Sequence, residues 1–355
     1  MVRFFRLYHR IMADIIKKNF VSSCIALLIT FNAFFQYASA QHISKYAGEF
    51  LAIGVGARPQ SLGAAFAAIA DDGTAAYWNP AGIGQLTFPQ ISLMHAEQFG
   101  GEINYDFASI IAPYRQKTTF GFSVIRLGID GIPDTRNALI DTVQANGRID
   151  EGERLNLDKI TYFSNTDFAF YFSFAHQKNS STFFGANVKL IKRKIGDNTA
   201  WGVGFDAAVL SRLGEKFTLG ANLMNATSTI IVWDTGRKEL ISPTLKIGSA
   251  YKFTPEMVPV TFIPVVDADI RFENREFAAQ HHLGSVSIDI HYGIELQYKE
   301  IASIRMGYDD VKRLSFGIGA NITRIQVDYA FTSFDDFNEL GNSHRISLSF
   351  NLKTE

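Results

Sequence analysis

The 355-residue sequence holds a single cysteine, Cys24. One thiol cannot build a disulfide framework or a zinc ribbon. Proline is scarce, at 9 residues, and only 19% of the chain is charged. With 31 Phe and 28 Gly beside so little charge, neither a disordered chain nor a coiled coil fits. No sign of charge dominates, since 34 Lys+Arg stand against 35 Asp+Glu. Without a basic excess the chain has no footprint for phosphate contacts, and nucleic acid is excluded as a partner. Beyond residue 40, no charge-free run of 18 residues lacks strand-like alternation, which excludes membrane-spanning helices.

The chain opens on an export signal. Lys17 and Lys18 precede an apolar run from Phe20 to Phe35, and Ala38-Ser39-Ala40 then matches the small-residue cleavage rule. Residues 1–40 are expected to be a signal peptide, with Gln41 as the new N-terminus; a start at Met12 would give it an ordinary length. An uncleaved anchor is the alternative, but the run is short for a spanning helix. Cleavage removes Cys24 and leaves 29 basic residues, 34 acidic residues and 25 of the 31 Phe.

The rest of the chain alternates with a period of two. In 287–299, Ile288, Ile290, Tyr292, Ile294, Leu296 and Tyr298 share one face, opposite Ser287, Asp289, His291, Gly293, Glu295, Gln297 and Lys299. In 167–177, Phe168, Phe170, Phe172 and Phe174 oppose Ala169, Tyr171, Ser173 and Ala175. Fourteen strands are expected, at 91–97, 103–113, 118–129, 167–177, 182–195, 202–213, 217–227, 243–253, 260–272, 287–299, 301–308, 313–322, 324–332 and 344–352. Most are longer than the five or six residues of an average soluble strand and reach the roughly nine to eleven that a spanning strand needs. Their connections alternate between short turns, such as Glu300 or Thr323, and long loops, such as 130–166. A soluble sandwich gives no reason for that alternation, whereas short periplasmic turns and long outer loops are the rule in outer-membrane barrels. The fold class is therefore all-β: a 14-stranded transmembrane antiparallel β-barrel at 91–355, with an N-terminal plug at 41–90. The expected location is the outer membrane of a Gram-negative-type bacterium, with its lipid as a partner.

Within the plug segment, Leu62, Phe66 and Ile69 fall at helical spacing, so a short helix ending near Asp71-Asp72 is expected. Gly54-x-Gly56 is not a nucleotide loop, because Pro59 occupies the third glycine position. The run Gly54-Val55-Gly56-Ala57-Arg58, then Leu62-Gly63-Ala64-Ala65-Phe66, Ala70-Asp71-Asp72 and Trp78-Asn79-Pro80-Ala81-Gly82 resembles the N-terminal signature of the PorV/PorQ family. That family belongs to the FadL-like group of fourteen-stranded, plugged barrels. Asn79-Pro80-Ala81 matches the group's plug motif, and Asp71, Asp72, Trp78 and Gly82 complete the plug residues the resemblance singles out. The resemblance implies a role in type IX secretion or surface attachment, binding or shuttling secreted proteins that carry a C-terminal sorting domain. The alternative it implies is FadL-like transport of hydrophobic small molecules such as fatty acids.

No constellation for catalysis stands out, so no enzyme and no cofactor is expected. A G-x-S-x-G nucleophile motif is absent. His281-His282 read as a solvated loop pair, and His291 as part of a lumen network with Asp289 and Glu295. The long loop carries one weak calcium candidate: Asn146, Asp150 and Glu153 match the second half of an EF-hand loop, but Thr142 and Gln144 stand where its first carboxylates belong. Calorimetric titration with calcium is expected to give no heat at millimolar concentration; a saturable heat would establish a site.

Overall fold

A computed structural model describes residues 48–98, 101–140, 148, 151, 153–275, 278–333 and 342–352. From Gln90 the chain becomes a sequence of antiparallel strands. They are β1 (Gln90–Gln98), β2 (Ile103–Tyr114), β3 (Thr118–Asp134), β4 (Leu139–Ile140), β5 (Arg154–Leu155), β6 (Thr161–Gln177), β7 (Thr182–Ile195) and β8 (Asn198–Leu213). There follow β9 (Phe217–Met224), β10 (Thr229–Trp233), β11 (Lys238–Ile241), β12 (Thr244–Tyr251), β13 (Val260–Arg271) and β14 (His281–Leu283). The last five are β15 (Val286–Tyr298), β16 (Ala302–Tyr308), β17 (Leu314–Ile322), β18 (Ile325–Thr332) and β19 (Ser343–Asn351). Each wall strand pairs with its neighbour, and β1 pairs with β19, so the sheet closes on itself.

The wall has fourteen positions. Three of them are each built from two strands laid end to end: β9 with β10, β11 with β12, and β14 with β16, which both pair with β15. β9 and β10 both pair with β8, one along its lower half and one along its upper half. β11 pairs with β10 and β12 with β9. The expected strand at 217–227 is thus interrupted, and the expected loop after it is a hairpin that continues the wall. Asn225 and Ser228 turn the chain at the break, with left-handed φ of 54° and 56°. The expected loop at 130–166 is likewise shorter than its bounds: β3 runs on to Asp134 and β6 starts at Thr161, paired through a register shift between Ile129 and Ile132. Polar residues there break the alternation but not the hydrogen-bond ladder. His281-His282 belong to the short strand β14, paired with β15, and not to an unpaired loop.

The alternation sorts side chains as the sequence implies. Phe120, Phe122, Phe172, Phe174, Phe184, Val188, Leu190, Val203 and Phe205 are exposed on the outer surface. Cross-strand rings meet there in tilted pairs, Phe122 with Phe172 at 5.2 Å and Phe120 with Phe174 at 5.6 Å. A closed sheet with an apolar exterior is covered by lipid, not by water. The phenylalanine excess is largely this belt.

Residues 48–89 fill the interior. This segment holds two short α-helices, α1 (Ala57–Ser61) and α2 (Ala75–Trp78), with a 3₁₀ turn at Pro80–Gln85. The helix expected around Leu62, Phe66 and Ile69 is absent: 62–64 and 67–69 are turns joined by irregular backbone, and α1 lies just before them. The three apolar residues are held by packing against the wall rather than by helical periodicity; Leu62 and Phe66 are wholly buried. Glycines on the inner face of the wall make room for this segment. A Cβ at Gly185 would strike the backbone of Ala81, one at Gly220 the carbonyl of Ala67, and one at Gly307 the amide of Gly63. Gly220→Leu or Gly307→Val should therefore push the segment off the wall and cost ~1–3 kcal/mol by overpacking. Urea unfolding followed by the heat-dependent gel shift of the barrel should show the loss, and wild-type midpoints in both would refute the packing.

Candidate functional site

The interior segment has little regular structure, so its peptide groups need partners from the wall. The wall supplies them from inward-facing polar side chains. Asp267 Oδ2 accepts from the amides of Phe66 and Ala67 at 2.9 and 2.8 Å. Asn187 donates to Ala76 O (2.8 Å), Asn222 to Trp78 O (3.0 Å), Ser109 to Gly73 O (2.9 Å) and Arg345 to Gly54 O (2.7 Å). Ser347 accepts from the amide of Ala57 at 2.8 Å.

The residues singled out in the sequence meet here. Asn79 is fully buried. Its amide donates to Ala67 O at 2.7 Å and Val209 O at 3.3 Å, while its carbonyl oxygen accepts from Ala81 N at 3.1 Å. It thus caps the 3₁₀ turn, with Pro80 at the first position, where a missing N–H costs nothing. Ala81 packs on Phe183 and Leu210, and a side chain at Gly82 would strike the carbonyl of Ala70. Trp78 donates from its indole to Val55 O at 2.8 Å. Asp72 closes a turn by accepting from Thr74 N (2.8 Å) and Thr74 Oγ1 (2.5 Å). Asp71 pairs with Arg58 at 2.5 Å.

Arg58 is the residue the sequence did not mark as functional. Besides Asp71 and Asp72 it reaches Glu295 on β15 at 3.1 Å. Glu295, 1% exposed, also takes Arg305 of β16 at 3.3 Å, and Arg305 pairs with Asp328 of β18 at 2.7 Å. One chain of alternating charges therefore ties the interior segment to three wall strands at the short-turn end. Strand parity marks Glu295, Arg305 and Asp328 as inward; their pairing with Arg58, 237 residues from Glu295, is a product of the fold. His291 also faces inward, but its partners are Gly63 O at 2.8 Å and Asp269 at 3.5 Å, not Asp289 and Glu295.

At the long-loop end lies a cavity of about 160 Å³. Its floor is Tyr77 and Trp78 of α2, with rings 4.9 Å apart, and its wall includes Tyr171, Met224 and Ile241. Burial pushes the Tyr77 phenol well above its usual range, so it stays protonated and donates to Leu51 O at 2.5 Å. Paired charges rim the cavity: Lys246 with Asp269 at 2.5 Å, and Arg313 with Asp309 at 2.7 Å. Lys246 also stands 5.6 Å from the centre of the Trp78 ring. The cavity reaches β11, which pairs with β10.

Among the described residues, no group of three or more His, Cys, Asp or Glu is placed to hold a metal ion. Asn146 and Asp150 lie outside the described residues, and Glu153 directly precedes β5.

A closed antiparallel barrel, apolar outside, polar inside and filled by its own N-terminal segment, defines an outer-membrane protein of the plugged-barrel type. Its fold is that of the FadL-like group. The Ralstonia pickettii toluene transporter TbuX superposes with a TM-score of 0.55 at 11% identity, covering 84% of this chain and 99% of that one. The P. putida toluene transporter TodX gives 0.52 at 12% identity, covering 85% and 99%. A Pseudomonas aeruginosa FadL homologue gives 0.53 at 10% identity, covering 84% and 98%. No protein-family model and no curated protein sequence matches the chain.

Two substitutions test how the interior segment is held. Glu295→Gln leaves two buried guanidinium groups short of a carboxylate and should cost ~3–5 kcal/mol. Asn79→Ala removes the cap and should cost ~0.5–2 kcal/mol. Denaturant unfolding and protease sensitivity of residues 48–89 are the measurements, and the charge-network variant should be the more labile.

Proposed function

We propose that this protein is an outer-membrane channel for small, largely apolar molecules, which enter from the long-loop end and bind against the interior segment. The observation that carries this reading is the cavity floored by Tyr77 and Trp78. Its volume of about 160 Å³ is close to the ~150 Å³ apolar cavity that accepts a benzene ring. It takes a single ring or a short chain end, with the Tyr77 and Trp78 rings on one side and the charged rim on the other. The fold shared with two toluene transporters supports the same reading. Asp71, Asp72, Trp78, Asn79, Pro80, Ala81 and Gly82 act in it as the frame that holds the floor in place, not as ligand contacts, except for Trp78.

The type IX secretion reading, with PorV/PorQ-like binding of exported proteins, rests on the sequence resemblance alone. It calls for a mouth or loops that grip a protein domain, and residues 141–147 and 334–341 of the outer loops lie outside the described residues. The transport reading is the better supported.

Trp78 is a built-in probe. In a variant with Trp201→Phe and Trp233→Phe, toluene should change the remaining fluorescence saturably. Ala52→Phe, at the cavity lining, should weaken that response about tenfold, equivalent to ~1.4 kcal/mol. An absence of saturable response to toluene, benzoate and short fatty acids alike would sink the transport reading. Co-purification of proteins sharing a C-terminal β-domain would then turn the assignment to secretion.

A further inference from the structure

The outer face of β7 changes character along its length. Phe184, Val188 and Leu190 are exposed and apolar, and then Lys192 and Lys194 take the same face. Alternation sends Ile191 and Arg193 inward, where Arg193 pairs with Asp167 and Glu239. The outward lysines have no such pairs. Among the described residues, no carboxylate lies within 4.0 Å of Lys192 or Lys194. The nearby Asp234 is taken up by Thr199, through N at 2.8 Å and Oγ1 at 3.2 Å.

Their neighbours are aromatic. Lys192 is opposite Phe168 of β6 and Trp201 of β8 in the ladder, and its Nζ stands 5.3 Å from the centre of the Trp201 ring. Trp201 is 56% exposed. Beyond it the register leads to Val232 and then to Lys238, a third outward lysine. From Phe184 to Lys192 the strand climbs about 20 Å at ordinary rise and tilt, against an apolar band of ~25 Å. Lys192 and Trp201 therefore sit where acyl chains give way to headgroups. An indole at that level is a common membrane-interface anchor, and ammonium groups there meet phosphate.

We propose that Lys192, Lys194 and Trp201, with Lys238 at the flank, bind the phosphate-bearing headgroup of an anionic lipid in the outer leaflet. The acyl chains of that lipid lie along Leu190, Val203 and Phe205. The ammonium groups supply charge, the indole supplies a flat amphipathic contact, and the apolar column below fixes which side of the barrel the lipid occupies. The site is separate from the cavity and independent of what the channel carries.

Trp201 reports on it, because Trp78 and Trp233 are buried. The full-length protein is placed in nanodiscs of phosphatidylcholine containing either acyl-brominated phosphatidylglycerol or acyl-brominated phosphatidylcholine. Bromine quenches the indole it touches. At equal mole fraction the anionic lipid should quench more, with a preference of about fivefold for each lysine engaged. Lys192→Gln with Lys194→Gln should lower that preference toward equality while the heat-dependent gel shift stays intact, which shows the barrel still folds. Trp201→Phe should remove the quenching itself. Equal quenching by the two lipids in the wild type would overturn the proposal, as would an undiminished preference in the double variant. Reversal of the preference by millimolar inorganic phosphate would assign the site to free phosphate and overturn the lipid.

Discussion

An irregular backbone enclosed by a barrel meets little water, and the peptide groups it does not pair within itself must be met by side chains of the wall. Much of the interior follows from this constraint. It explains why Asp267 accepts from two successive amides, and why Asn187, Asn222 and Ser109 point inward. It also explains the inner glycines, since a carbonyl can approach the wall closely only where no Cβ intervenes. Asn79 meets the same demand from within the segment, serving three backbone groups at once.

Charge is handled by the same logic. Lys189 and Asp206 are both buried and lie 2.7 Å apart, and the Arg58–Glu295–Arg305–Asp328 chain alternates in sign. Such pairs add little net stability over apolar packing, but breaking one leaves an uncompensated buried charge. Their effect is to fix one seating of the segment in preference to others. That suits a protein whose cavity floor, Tyr77 and Trp78, belongs to the segment and not to the wall.

The barrel was legible in the sequence because a period of two over ten or more residues leaves little else possible. Phe168 to Phe174 and Ile288 to Tyr298 declare an outer face by themselves. Strand ends were harder to read, as at Asp134 and Thr161, where the ladder outlasts the apolar pattern. The break at Asn225–Ser228 left no mark, because no glycine stands there to signal the left-handed turn. Leu62, Phe66 and Ile69 misled for a related reason. Helical spacing and contact with a surrounding wall both bring apolar residues together, and local sequence does not distinguish them. The residues of the motif at 71–82 were found by resemblance. Arg58 was not marked as functional, since its meaning lies in Glu295, far along the chain.

One join in the wall is unlike the others. β1 and β19, the first and last strands of the ring, are held by an ordinary ladder, yet the interior segment crosses behind them. Gly56 N lies 3.0 Å from Met94 Sδ of β1, and Ala57 N, 290 residues from its partner, donates to Ser347 of β19. α1 also packs on β16, β17 and β18. The seam is thus splinted from inside. Opening it would break contacts of the segment as well as the β1–β19 ladder, so the first and last strands are joined by more than the edge they share.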